Sequence, residues 1–91
     1  MIPTNDGANA VVYTDPGLQG DYQSMPPGRY DTADLTVPND SIRSVAVPQG
    51  LRVTVFEHSG FTGDSAVIDA DTQLLGANLD CQVSSVIVET I

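Results

Sequence analysis

Few residues in this chain have side chains suited to chemistry. His58 is the only histidine and stands in the turn "EHSG", so any Ser–His–carboxylate relay must run through it. A histidine in such a turn reads as solvated rather than as a general base. Asp69 and Asp71 in "IDADT" form a carboxylate pair, and they read as capping and solvating the short turn before "QLLGA". Tyr30, after "PPGR", reads as a structural tyrosine bonding back to nearby backbone, and Tyr22 as a strand residue. Cys81 is the single cysteine; it has no internal disulfide partner and is expected to be a buried structural thiol. No Gly-x-Ser-x-Gly elbow, phosphate loop or His/Cys cluster appears, so the chain is expected to be non-enzymatic.

Charge narrows the choice of partner. Three arginines and no lysine face twelve carboxylates, for a net charge of −9. Nucleic acid is bound by Lys and Arg contacts that release counterions from phosphates, and anionic membranes attract basic segments. Neither is expected to bind here, whereas cations suit such a surface. No apolar run approaches the roughly 20 residues that span a bilayer. The opening "MIPTNDGANA" lacks a basic region followed by an apolar stretch and does not read as a secretory signal. At 91 residues a single domain is expected, and a monomer.

The elements that position these groups come from a repeat. Tyr13, Leu18, Gly20 and Asp21 return 43 positions later as Phe56, Phe61, Gly63 and Asp64. "NDSIRSVAV" (Asn39 to Val47) returns as "DCQVSSVIV" (Asp80 to Val88) at an offset of 41. "AVVYT", "LRVTVFE", "SAVID", "SVAV" and "SVIVETI" carry the β-branched and alternating patterns of strands. "DPG", "PPG" and "PQG" punctuate them, and "VPQG" (Val47 to Gly50) joins the two copies. Helical signals are confined to short turns at "DTADL", with Asp31 or Thr32 as cap, and at "DTQLLGA", with Asp71 as cap. Two copies of about four strands, each with an apolar face to bury, imply two packed sheets. Within each copy a hairpin folds back over its sheet. Phe56 and Phe61 then pack together, and Gly63 sits where φ is positive or a side chain would clash.

Phe56, Phe61 and Gly63, followed by the paired serines Ser84 and Ser85, resemble the βγ-crystallin family. Tyr13 and Gly20 match in the first half, where Leu18 stands in place of the second aromatic. "MPPGRYDTADL" and "LGANLDCQVSSVIV" resemble the family's microbial single-domain members, and the likeness runs from Val11 nearly to the end. It implies an all-β, two-Greek-key β-sandwich over residues 1–91, with the first Greek key about 9–47 and the second about 51–91. It also implies calcium, held weakly between two Asn/Asp–Asn/Asp–x–x–Ser/Thr–Ser loops that share ligands crosswise. Residue by residue, Asp40 falls on an anionic ligand position and Ser84 on a hydroxyl one. Ser41, Gln82, Thr14 and Glu57 fall on positions that offer backbone carbonyls.

Two positions depart from that pattern. Arg43 replaces a hydroxyl with a group that has five donors and no acceptor. Cys81 replaces an Asn or Asp with a soft thiol. Three outcomes are therefore open: weak calcium binding, one surviving site, or calcium-independent loops in which Arg43 pairs with Asp40 or a neighbouring carboxylate. A structural, stress-linked or surface-coat role at the spore or cell surface follows from the resemblance. Secreted protease inhibitors and toxins of the same fold are a further class, although those carry several disulfides.

Overall fold

The computed structural model of the chain describes residues 9–38, 40–76 and 79–91. Among these residues there are seven strands and one 3₁₀ turn. In chain order the strands are β1 Ala10–Asp15, β2 Gln19–Met25, β3 Gly28–Tyr30, β4 Ser44–Ala46, β5 Leu51–His58, β6 Thr62–Ile68 and β7 Ser85–Thr90. The turn, Thr32–Asp34, follows β3 and is closed by a capping box. Asp31 accepts from the Thr32 N–H, and Asp34 accepts from the Asp31 N–H.

Two antiparallel sheets result, ordered β2-β1-β4 and β3-β7-β5-β6. β3 belongs to the first half of the chain but pairs with β7 of the second, Gly28 opposite Val88 and Tyr30 opposite Val86. The reciprocal crossing is smaller than the expected four strands per half. A single bridge between Val45 and Thr72 stands where the eighth strand would lie. Asp71 does not cap a helical turn; its carboxylate accepts the Val47 N–H at 2.8 Å and ties that bridge to the connector.

Apolar periodicity explains how the sheets face one another. Val53 and Val55 of β5 and Val86 and Val88 of β7 point into one core with Val12, Met25, Val45 and Ile68. β1 hides both faces, because Val11 and Tyr13 form a second small cluster with Ala46 and Leu18. β2 and β6 are polar strands whose last residues alone, Met25 and Ile68, are buried. They exist because the hairpins force them against β1 and β5.

The hairpins fold back as the aromatic spacing predicts. Phe56 and Phe61 meet edge-to-face with centroids 5.8 Å apart. In the first copy Leu18 takes that place and packs against the Tyr13 cluster, and the aromatic partner of Tyr13 is Tyr22 of β2, at 6.1 Å. Gly63 meets both conditions at once: its φ is +82°, and a Cβ there would lie 2.5 Å from Cδ2 of His58.

A buried serine clamps each folded hairpin. Ser85 Oγ accepts the Phe61 N–H at 3.2 Å and donates to the His58 carbonyl at 2.7 Å. Ser44 does the same for the Leu18 N–H and the Asp15 carbonyl, at 3.1 and 2.6 Å. Both serines are fully buried, so removing either hydroxyl strands a donor and an acceptor away from water. Ser85→Ala and Ser44→Ala should each lower the unfolding free energy by about 1–3 kcal/mol in urea titrations, with an unchanged m-value. A loss under about 0.5 kcal/mol for both would show that the clamps contribute little.

Candidate metal centre

Both copies build the same frame around their loops. A β-bulge between Tyr13 and Asp15 leaves Thr14 out of register, and one between Phe56 and His58 does the same to Glu57. A bulge residue is excluded from regular ladder pairing, so its carbonyl is free to face elsewhere. Beside each bulge a loop residue docks: the Arg43 N–H bonds to the Tyr13 carbonyl and the Ser84 N–H to the Phe56 carbonyl, both at 2.9 Å. Thr14 therefore adjoins Arg43, and Glu57 adjoins Ser84.

The loops then join crosswise through their backbones. The Asp40 N–H donates to the Val83 carbonyl at 3.3 Å, and the Cys81 N–H to the Ile42 carbonyl at 3.1 Å. Asp40 and Cys81, the second positions of the two loops, share a left-handed backbone with φ of +60° and +58°. Asp tolerates this conformation through local hydrogen bonding. Asn39, the first position of its loop, lies outside the described residues.

Side chains separate the two junctions. At one, Ser84 Oγ donates to Asp40 Oδ1 at 3.1 Å, joining the hydroxyl position of the second loop to the anionic position of the first. At the other, Arg43 makes a two-point contact with Asp80, Nε to Oδ1 at 2.9 Å and Nη2 to Oδ2 at 3.1 Å. Arg43 thus pairs with Asp80 and not with Asp40. The hydrogen bond and the charge of Asp80 push the Arg43 pKa further up, so the cation is permanent. Cys81 is exposed, which corrects the expectation of a buried thiol: its left-handed loop position faces it outward, away from the core. Both unsuitable residues, Arg43 and Cys81, consequently fall at one junction, while Asp40 and Ser84 keep the other.

Ser41 and Gln82 lie in the middle of the loops; Ser41 Oγ donates to the Pro38 carbonyl, and the Gln82 N–H to the Leu79 carbonyl at 2.9 Å. His58 is exposed at the end of β5, with Nε2 3.5 Å from Glu57 Oε1. Asp69 pairs with Arg52 at 3.5 Å on the surface, apart from the loops. Tyr30 bonds back to the Pro26 carbonyl, as expected of a structural tyrosine. Among the described residues no three His, Cys, Asp or Glu side chains cluster as metal ligands. An ion at the Asp40–Ser84 junction would therefore rely on hydroxyl and carbonyl oxygens as well as the carboxylate, a donor set that suits a hard cation. The Arg43–Asp80 junction, filled by a guanidinium, does not fit one.

Sequence reasoning left one partner of this region undefined and missed a second contact. Asp80 was legible only as the first position of its loop. Asp31, expected as a cap, also accepts the Gly60 N–H at 3.0 Å, tying the 3₁₀ turn to the β5–β6 hairpin.

Two sheets that exchange a strand, paired folded hairpins and loops joined crosswise define the class: the chain belongs to the βγ-crystallin family. Among solved structures it is similar to the N-terminal domain of Protein S, with 34% identity and a TM-score of 0.88, covering 92% of this chain and 98% of that one. A βγ-crystallin domain from Clostridium beijerinckii matches with 30% identity and a TM-score of 0.88, over 91% of this chain and 99% of the other. Among curated proteins, Development-specific protein S of Myxococcus xanthus is 34% identical over 87 residues, 92% of this chain. The chain spans about half the length of that relative, 50%. No protein-family model matches the sequence.

The two N–H bonds from Gly60 and Thr32 hold the Asp31 carboxyl below the usual carboxylate range. A carboxylate whose folded pKa lies below its unfolded value stabilises the fold above the unfolded value. That contribution is lost as pH falls through the folded one. Wild type should therefore exceed Asp31→Asn in stability at neutral pH, and in urea titrations the difference should shrink as pH falls through the unfolded and then the folded pKa of this carboxyl. A difference that stays constant with pH would assign the effect to something other than this carboxylate.

Proposed function

We propose that this chain is a non-enzymatic, structural βγ-crystallin-type domain that takes one calcium ion at the Asp40–Ser84 junction and replaces a second ion with the Arg43–Asp80 pair. The observation that carries the reading is the segregation of the departures. Arg43 is bonded to Asp80, while Asp40 and Ser84, an anionic oxygen and a hydroxyl, stand 3.1 Å apart. Asp40 and Ser84 would hold the ion by side chain. Glu57, at the bulge beside Ser84, is the nearest candidate to add a carbonyl, with Ser41 and Gln82 as the further carbonyl candidates from the loops. Thr14 adjoins the guanidinium and is the least suited of the set.

An affinity of about 10⁻⁴ to 10⁻³ M is expected, since only one carboxylate is committed. A bound ion acts here by mass action, stabilising the folded loops over the unfolded chain. At about 100 times the dissociation constant this amounts to about 2.7 kcal/mol. For a domain of this size that raises Tm by on the order of 10 °C. A surface-associated or stress-linked structural role is part of the proposal. The likeness to a development-specific protein and the surplus of twelve carboxylates over three arginines support it.

Calorimetric titration with calcium should give one ion per chain. Asp40→Ala should abolish the heat, while Arg43→Ser combined with Cys81→Asn should bring the count to two. If wild type gives no heat and no rise in Tm over chelator, the loops close without an ion and the calcium reading is wrong.

A further inference from the structure

The two junctions share a backbone frame, yet different chemical groups hold them from outside. At the Arg43 junction the main chain does so: the Gly17 N–H donates to the Gln73 carbonyl, and the Leu75 N–H to the Arg43 carbonyl, both at 2.8 Å. At the Ser84 junction side chains from the 3₁₀ turn take over both contacts. Asp31 Oδ1 accepts the Gly60 N–H at 3.0 Å, and Thr32 Oγ1 donates to the Ser84 carbonyl at 2.7 Å. Position 32 plus the repeat of 43 is position 75, so the Thr32 hydroxyl stands in for the Leu75 N–H.

All three polar groups of Ser84 are thereby held. Its N–H is fixed by the Phe56 carbonyl at 2.9 Å, its carbonyl by Thr32, and its hydroxyl meets Asp40. Holding the peptide planes on both sides of Ser84 fixes the direction of its Cα–Cβ bond. Thr32 is itself held, because Asp31 Oδ1 accepts its N–H at 2.8 Å and Asp34 closes the capping box. The Gly60 contact, made by the same Asp31 oxygen, steadies the hairpin that follows Glu57.

We infer that Thr32, supported by Asp31, is a positioning residue for the ion site at Asp40 and Ser84; the inference rests on the calcium reading of that junction. Thr32 touches no proposed ligand atom. It acts by aiming one ligand, so that less ordering remains when an ion arrives. Loss of such an outer contact characteristically costs about 10-fold or more in metal affinity.

The test compares wild type, Thr32→Val and Thr32→Ser by calorimetric titration with calcium chloride, at a temperature where all three are folded. Hydrogen exchange of the Ser84 amide is measured alongside in chelator. Thr32→Val keeps the side-chain shape and should bind calcium about 10-fold more weakly, with faster exchange at Ser84. Thr32→Ser keeps the hydroxyl and should stay within about twofold of wild type. A purely structural role would lower Tm in chelator but leave the dissociation constant alone; that result overturns the inference while the calcium reading stands. No heat from wild type overturns both. Should Thr32→Val fail to fold, Asp31→Asn serves instead, with weaker calcium binding expected and unchanged binding overturning the inference.

Discussion

The fold closes on two backbone hydrogen bonds, Asp40 N–H to the Val83 carbonyl and Cys81 N–H to the Ile42 carbonyl, through which each loop borrows the other's main chain. Both donors are in the left-handed region, a conformation that costs an ordinary residue about 1–2 kcal/mol. The cost persists because the exchange holds both loops in register at once. Ile42 and Val83, whose carbonyls accept in this exchange, are fully buried in the common core. The polar loops are thus anchored from beneath by the same apolar residues that bind the sheets.

From that constraint the asymmetry of the site follows. Because loop residues meet across the pseudo-twofold axis, a change at the fifth position of one loop is felt at the start of the other. Arg43 and Cys81 stand in different loops, yet they spoil one junction between them. A guanidinium satisfied by two carboxylate oxygens offers the loops a permanent cation that needs no uptake from solution. Among the described residues every buried side-chain nitrogen and oxygen has a partner, so neither junction is left under tension by an unmet group.

Local patterns in the sequence carried the hairpins well. The aromatic spacing, the positive-φ glycine, the capping Asp31 and the back-bonding of Tyr30 are all short-range features written in consecutive residues. β2 was less legible, since "QGDYQSM" offers one buried side chain and is a strand only by being folded onto β1. The eighth strand shrank to the Thr72 bridge for a similar reason: no large apolar side chain in "DADTQ" rewards a longer pairing. The general tendency of cysteine to be buried misled the reading of Cys81, because the outcome was set by a loop geometry that residue type does not encode. Which loop residue meets which is a tertiary fact, and Asp80 as the partner of Arg43 became visible only with the fold.

The polar character of β2 and β6 has a consequence for crowded conditions. These strands form outer borders of the two sheets, where unpaired backbone groups could template joining to a neighbouring copy. Each has as its second residue a glycine of positive φ followed by an aspartate, Gly20–Asp21 and Gly63–Asp64, beside a bulge that increases local twist. Curvature and negative charge thus guard the start of each border, and an approaching copy meets repulsion before it finds a straight edge. At high concentration, edge-to-edge pairing between copies is thereby disfavoured.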